Sequence, residues 1–214
     1  ASGLQSTAFG NLANAAAISS TAVGNGAVTA NGVTPSGAAS LGTSVAVGNL
    51  AMATNEDAVA IGDQALASGF HSTAIGGESV ASGIGAQAFG WQARATEQFA
   101  TGLGHQANAS AVRATALGKS SVASAANASA VGNQAVASGI QSSAFGNLAT
   151  AGAISSVAIG NGAVTSDGVT PSGAASLGTS VAVGNLAMAT AEDAGAIGDQ
   201  ALSSGFHSTA VGGA

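Results

Sequence analysis

The sequence predicts an all-β solenoid assembled from 14-residue repeats. A glycine that follows alanine and one large apolar residue recurs every 14 residues along most of the 214-residue chain. Large and small residues alternate on both sides of this glycine, which is the period of β-strands. Charged residues make up only 6% of the chain, whereas an ordinary globular domain is about 25% charged. We therefore expect the small side chains to have a packing role.

Fourteen anchor glycines mark the repeats. Two of the intervals between neighbouring anchors, Gly24 to Gly48 and Gly160 to Gly184, are 24 residues long, and all others are 14. Each long interval predicts a ten-residue insertion, near 29–38 and near 165–174, with an Asn-Gly or Asp-Gly hairpin signal inside it. The anchors are Gly10, Gly24, Gly48, Gly62, Gly76, Gly90, Gly104, Gly118, Gly132, Gly146, Gly160, Gly184, Gly198 and Gly212.

A longer duplication overlies the short repeat. Residues 1–77 match residues 137–213 with 12 differences in 77 positions, and residues 78–136 are not duplicated. The two copies have the same anchors and the same long interval. We therefore expect one repetitive domain over residues 1–214.

Each repeat contains two short strands, whose positions are counted here from the anchor glycine. Position −1 carries a large apolar residue, position −3 is often valine or threonine, and the residue between them is nearly always alanine. After the glycine, small residues at +3 and +5 surround a variable position +4. We expect −3 and −1 to lie inside, packed against +3 and +5, with +4 in solvent. The alanine at −2 would then point outward, and a nearly invariant outward column predicts a subunit interface. The interface candidates are Ala8, Ala22, Ala46, Ala60, Ala74, Ala88, Ala116, Ala130, Ala144, Ala158, Ala182, Ala196 and Ala210.

The repeat resembles a known family in segments such as Ser44-Val45-Ala46-Val47-Gly48-Asn49-Leu50-Ala51 and Ser156-Val157-Ala158-Ile159-Gly160-Asn161-Gly162-Ala163. It is similar to the head domain of YadA-like trimeric autotransporter adhesins of Gram-negative bacteria. The resemblance implies a left-handed parallel β-roll, assembled as a homotrimer on the bacterial cell surface. It further implies attachment to host extracellular matrix proteins or to the host-cell surface. The outer-membrane anchor would belong to regions outside this segment.

Composition excludes several other partners. The net charge is −6 with only three basic residues, so we expect no nucleic acid, because phosphate binding needs a basic stripe. No stretch of about 20 residues stays apolar, so we expect no direct membrane insertion by this segment. The absence of cysteine excludes disulfides and thiolate metal sites. We expect no cofactor.

Four residues are candidates for ligand binding: Trp91, Arg94, Arg113 and Lys119. Trp91 and the three basic residues all lie in the unduplicated stretch, and aromatic and arginine side chains often dominate binding energies. Stacked repeats could bring them, with His105, onto one side of the solenoid. The alternative is that they are scattered surface residues that favour solubility.

We expect neither a metal site nor a catalytic site. His71 and His207 occupy equivalent turn positions in the duplicated copies and are interpreted as solvated. Two acidic groups, Glu56-Asp57 with Asp63 and Glu192-Asp193 with Asp199, could suggest Ca²⁺, but a calcium-binding repeat motif is missing. Parallel stacking aligns columns of Ala, Gly and Ser, in which no catalytic set is recognisable.

Two other functions remain as alternatives to the adhesin. The first is a non-adhesive structural or ice-binding solenoid. An ice-binding solenoid would need regular pairs of threonines on one face. The threonines at −3 alternate with valine and are expected to point inward, which disfavours ice binding. A solenoid enzyme would need polar residues that converge in a groove, and none are found in the sequence.

Overall fold

The computed structural model describes residues 1–30, 42–166 and 179–213, and the fold is given for these ranges. All regular structure in them is β-strand, in 27 short strands. The predicted all-β parallel solenoid of 14-residue repeats is therefore confirmed. A helix that could span a membrane is not found in residues 1–30, 42–166 and 179–213. The chain divides into two compact units, Ala1–Ala107 and Asn108–Ala214.

Unit 1 contains two parallel sheets whose strands alternate along the chain. Sheet A holds the three-residue strands that precede each anchor glycine, and sheet B holds the two-residue strands that follow it. The strands of sheet A are β1 (Thr7–Phe9), β3 (Thr21–Val23), β5 (Val45–Val47), β7 (Val59–Ile61), β9 (Thr73–Ile75), β11 (Gln87–Phe89) and β13 (Thr101–Leu103). Those of sheet B are β2 (Asn14–Ala15), β4 (Val28–Thr29), β6 (Met52–Ala53), β8 (Leu66–Ala67), β10 (Val80–Ala81) and β12 (Arg94–Ala95).

Unit 2 is built in the same way. Its sheet A consists of β15 (Thr115–Leu117), β17 (Ser129–Val131), β19 (Ser143–Phe145), β21 (Val157–Ile159), β23 (Val181–Val183), β25 (Gly195–Ile197) and β27 (Thr209–Val211). Its sheet B consists of β14 (Asn108–Ala109), β16 (Val122–Ala123), β18 (Val136–Ala137), β20 (Thr150–Ala151), β22 (Val164–Thr165), β24 (Met188–Ala189) and β26 (Leu202–Ser203).

The register of the sheets follows the sequence repeat. Equivalent residues pair one repeat apart, as in Ala60 with Ala74. The two 24-residue intervals also span a single turn, because Ala22 pairs with Ala46 and Ala158 pairs with Ala182. The predicted insertions, 29–38 and 165–174, begin too early, because Thr29 and Thr165 are strand residues that pair with Ala53 and Ala189 in the next turn. Most of the remaining insertion residues lie outside the described ranges, so their hairpin form stays a prediction.

The anchor glycines are required at the end of each strand of sheet A. Gly132 has a φ of 137°, a backbone conformation open essentially to glycine alone. A Cβ atom on Gly132 would also overlap the carbonyl oxygen of Gly146 in the next repeat. The stacked turns thus approach so closely that glycine is needed for space as well as for backbone angle.

The interior is lined by small side chains from four positions of the repeat, −4, −2, +3 and +5. Alanines at −2, +3 and +5, for example Ala60, Ala65 and Ala67, have no exposed surface. The largest fully buried side chains in the described ranges are Thr29 and Thr165, followed by serines such as Ser20. The buried hydroxyls of Ser20 and Ser156 donate to the backbone carbonyls of Ala17 and Ala153 at 2.7 Å. The core is therefore thin and composed of alanine and serine.

The prediction that the alanines at −2 point outward from the strands of sheet A is wrong. The alanines at −2 point into the unit and not outward, while the residues at −3 and −1 face the surface. Eleven of the thirteen interface candidates are fully buried within the single chain, and the other two, Ala8 and Ala210, are partly covered. They therefore cannot form the predicted subunit interface. The buried set is Ala22, Ala46, Ala60, Ala74, Ala88, Ala116, Ala130, Ala144, Ala158, Ala182 and Ala196.

The physical reason is the thickness of the interior. Isoleucine, leucine and phenylalanine at −1 are too large for a space in which nothing larger than threonine is fully buried. Position −2 is alanine in every repeat except at Gly102, because a side chain larger than alanine would collide with the opposite sheet. The other two assignments are correct: +3 and +5 lie inside, and +4 faces outward, as Met52 shows with 42% exposure.

Candidate functional site

The outward face of sheet A carries a row of apolar residues in both units. In-register pairing stacks the residues at −1 into one row per unit, which we call the apolar column. It consists of Phe9, Val23, Val47, Ile61, Ile75, Phe89 and Leu103 in unit 1 and of Leu117, Val131, Phe145, Ile159, Val183, Ile197 and Val211 in unit 2. Ile61 is 37% exposed and Ile159 is 42% exposed. Large apolar residues are thus presented in continuous rows without a charge.

The threonines at −3 lie on this same outward face, contrary to the expectation that they point inward. The reason is the same reversal of the strand faces. No described strand of sheet A carries threonine at both −3 and −1, so the face still lacks the regular threonine pairs of an ice-binding surface. In each strand of sheet A that has threonine at −3, the residue at −1 belongs to the apolar column and is not a second threonine.

A ladder of asparagine side chains follows the turn between sheet A and sheet B. In unit 1, Asn11 Nδ2 donates to Asn25 Oδ1 at 3.4 Å, Asn25 to Asn49 at 3.1 Å, and Asn49 to Asp63 Oδ1 at 2.7 Å. All of these residues occupy position +1. In unit 2 the ladder runs through Asn133, Asn147, Asn161, Asn185 and Asp199. Position +1 is therefore a polar, solvent-exposed row.

Three consecutive repeats of unit 1 replace this ladder by Gly77, Trp91 and His105. A Cβ atom on Gly77 would lie 3.2 Å from Trp91 Cδ1, so the indole lies over the space that Gly77 leaves free. On its other side Trp91 contacts His105, with ring centroids 4.8 Å apart and planes inclined by 34°. Trp91 is 44% exposed. The exposed tryptophan is thus held between its two neighbours in the row.

Position +2 carries a second polar ladder beside these residues. Gln92 Nε2 donates to Glu78 Oε2 at 2.7 Å, and Gln106 Nε2 donates to Gln92 Oε1 at 2.9 Å. Gln92 and Gln106 have positive φ values of 55° and 58° in the tight turn. An aromatic pair and a row of ordered amides therefore lie side by side on one edge of unit 1.

The structure does not gather the basic candidates into one patch. Arg94 lies on the outward face of β12 in unit 1 and is exposed. In unit 2, Arg113 is in the turn before β15 and Lys119 is in the turn after it, which are opposite edges of the solenoid. Of the four ligand candidates, only Trp91 has an aromatic neighbour, His105, that could extend a binding surface.

A carboxylate–histidine group lies at the other edge of unit 1. Asp57 Oδ1 accepts from the backbone N and Oγ1 of Thr43 at 2.9 and 3.3 Å, and Asp57 Oδ2 is 3.4 Å from His71 Nε2. Glu56 adds a third potential ligand atom, and all three atoms lie within 4.8 Å of one another. Asp63, which the sequence suggested as a partner, instead accepts from Asn49 in the opposite turn.

This group could coordinate a divalent ion, since imidazole nitrogen and carboxylate oxygen are ligands of Zn²⁺. Unit 2 repeats part of it, with His207 Nε2 3.2 Å from Asp193 Oδ2. The side chains of His71 and Asp57 are 52% and 46% exposed, however, and exposed acidic groups commonly lie together without a metal. We therefore assign no metal to it, and the expectation of no resident metal stays a prediction.

Sequence reasoning missed the contributions of Glu78, Gln92 and Gln106 and the pairing of His71 with Asp57. The sequence did contain a signal for these contacts, because the residues that contact one another have the same offset from their anchor glycines. Residues at the same offset in successive repeats stack, so each column of the repeat can be read as a row of neighbours on the surface.

The repeats match the family model described as YadA head domain repeat. The matches cover residues 1–27, 42–65, 67–93, 95–121, 109–135, 123–149 and 137–163, which is more than half of the chain. No curated protein matches the chain significantly.

A solved structure is also similar to the chain, the crystal structure of the collagen-binding domain of Yersinia adhesin YadA. The identity is 21%, the match covers 98% of this chain and 81% of that one, and the TM-score is 0.27. The assignment of the family rests on the repeat matches. By these matches, over both units of the solenoid, the chain belongs to the family of YadA head domain repeats.

Proposed function

We propose that the chain is the head of a trimeric bacterial surface adhesin that binds host extracellular matrix or host cells without catalysis. Membership of the YadA head family supports an adhesin-type function at the bacterial surface. The similar Yersinia domain is described as collagen-binding, which makes collagen the first matrix protein to test. The observation that carries the trimeric part of the proposal is the outward apolar column of sheet A.

The apolar column needs a covering surface. It places Val, Ile, Leu and Phe side chains in unbroken rows of seven strands in each unit. Contiguous exposed apolar patches larger than a few hundred Å² are rare on monomeric proteins and mark interfaces. Copies of the same chain, arranged around an axis, can cover these rows with one another. The subunit interface is therefore assigned to position −1 and no longer to the alanines at −2.

Sedimentation velocity tests this interface. We expect a trimer for the wild type, and dissociation when Ile61→Asp and Ile159→Asp are combined, because a buried unpaired charge is strongly destabilising. The matched control combines Leu66→Asp and Val164→Asp, which place the same charges on the outward face of sheet B. The control should remain trimeric. A monomeric wild type, or equal dissociation of both variants, would contradict the assignment.

Binding to the host is proposed to be multivalent and weak at each contact. Three chains repeat every surface feature threefold, and linked weak sites gain about 10²–10⁴ in avidity. Solid-phase binding to collagen, fibronectin and laminin tests this, with the trimeric wild type compared with the dissociated variant at equal chain concentration. Circular dichroism must first show that this variant keeps its strands. Absence of binding to every matrix protein and to host cells would refute the adhesin proposal.

A further inference from the structure

We propose that the turn surface formed by Trp91, His105, Glu78, Gln92 and Gln106 binds a neutral oligosaccharide. This inference rests on the proposed adhesin function and names a ligand class for it. All five residues belong to unit 1. We call this surface the Trp91 surface.

Packing does not explain the tryptophan. At the same position the earlier repeats of unit 1 use Asn49 and Asp63, which pair in the polar ladder. Trp91 follows two repeats after the end of that ladder at Asp63, and this large aromatic residue is 44% exposed to water. Exposure of an aromatic ring costs solvation free energy. A ligand that packs on the ring would recover this free energy.

The ring is held in place before any ligand arrives. Gly77 leaves room for the indole on one side, and His105 contacts it on the other at 4.8 Å between centroids. An ordered aromatic side chain loses little conformational entropy when it binds. Trp91 and His105 together form a short aromatic ridge on the turn, without a groove.

The adjacent ladder supplies ordered polar groups that are still free to bond. Glu78 uses Oε2, Gln92 uses one N–H and its Oε1, and Gln106 uses one N–H. Glu78 Oε1, the second N–H groups of both glutamines and Gln106 Oε1 remain. Because the ladder bonds fix the planes of these side chains, donors and acceptors recur at the spacing of stacked strands, about 4.8 Å.

This combination suits a pyranose. A sugar ring has an apolar C–H face, which packs on an aromatic ring, and hydroxyl groups at its edge, which both donate and accept hydrogen bonds. Amides and a carboxylate meet both requirements. Glu78 and the net charge of −6 disfavour sialylated or sulfated sugars and nucleic acids. A proline-rich peptide would need an aromatic-lined groove, which this ridge does not provide.

Intrinsic fluorescence can report on this surface alone. The chain contains one tryptophan and no tyrosine, so emission excited near 295 nm comes only from Trp91. The full chain is titrated with lactose, N-acetyllactosamine, chitotriose, maltotriose and mannotriose, and also with 3′-sialyllactose. We expect a saturable change with at least one neutral sugar, with a dissociation constant on the order of 1 mM. Lactose should bind more tightly than 3′-sialyllactose if lactose is among the ligands.

A variant separates the polar row from the aromatic ridge. Gln92→Leu keeps the fluorescent reporter, and leucine is already native at this turn position in Leu50, with a φ of 55°. We expect the best sugar to bind about tenfold more weakly, because the variant loses both ladder bonds of Gln92. Gln134→Leu is the matched control, since Gln134 has the same offset and the same φ of 55° but follows Asn133. The control should bind like the wild type.

The results that would overturn the sugar site are distinct from those that would overturn the adhesin. No saturable response to any of the neutral sugars, or equal binding by Gln92→Leu and the wild type, overturns the sugar site. So does a response to a collagen-like peptide with none to sugars. Matrix binding by the same wild-type preparation would leave the adhesin proposal standing in each case. Sugar binding with no matrix or cell binding supports the site and refutes the adhesin.

Discussion

Replacement of Ala130 by leucine tests which strand face forms the interior of unit 2. Ala130 has no exposed surface and pairs in register with Ala116 and Ala144. Leucine adds three carbon atoms in a core whose largest fully buried side chain is threonine. Overpacking of a tight core typically costs 1–3 kcal/mol, so we expect a loss of about 3 kcal/mol in the free energy of unfolding.

Thermal unfolding followed by circular dichroism measures this loss. For a protein of this size, about 3 kcal/mol corresponds to a decrease in Tm of about 6–12 °C. All variants are compared at one protein concentration, because assembly shifts the apparent stability. Ala130→Val, which has the shape of threonine, should fall between the wild type and Ala130→Leu.

Ala126→Leu is the control for the same change of side chain in the same repeat. Ala126 is partly exposed in the turn before β17, in a column that carries Val112 and Ile140 in the adjacent repeats. A substitution there should change stability by no more than about 0.5 kcal/mol. If Ala126→Leu is as unstable as Ala130→Leu, or if Ala130→Leu unfolds like the wild type, the interior has been assigned to the wrong face.

Three further predictions concern the backbone and use the same thermal assay. Gly132→Ala should cost about 3 kcal/mol, because alanine is strained at a φ of 137° and its Cβ would overlap the carbonyl of Gly146; a Tm equal to that of the wild type would contradict the close approach of the turns. Gly195→Ala should instead stabilise the chain by about 0.5–1 kcal/mol, since the new Cβ meets only Thr209, at 3.6 Å. A lower Tm would contradict the open space beside Gly195 in β25. Deletion of residues 31–40 should leave the strand signal unchanged, because β3 pairs directly with β5; loss of that signal would show that these residues belong to the solenoid.

The repeat predicts the positions of the residues in the candidate site but not the contacts between their side chains. The offset from the anchor glycine places Trp91 in the turn after a strand of sheet A, where the structure shows it exposed. The same offset relates Gln92 to Glu78 and Gln106, but a sequence does not show that their side chains bond along the row. The gap above Gly77 that receives the indole depends on the stacking distance of the turns.

The repeat, the strands and the register can all be read from the amino-acid sequence. Glycine every 14 residues and a period of two between them define two strands per repeat, and both were found where the pattern predicts them. Alternation shows which residues share a face, but it does not show which face is inside. Hydrophobicity usually settles that question, and here it favoured the wrong face.

The location of the alanines in the core and of the larger residues at the surface depends on how the two sheets pack. The two sheets enclose a space in which threonine is the largest fully buried residue, so size and not hydrophobicity selects what lies inside. Ala60 is buried for this reason, while its neighbour Ile61 is 37% exposed. The apolar surface that results exists because the interior is too thin to hold it.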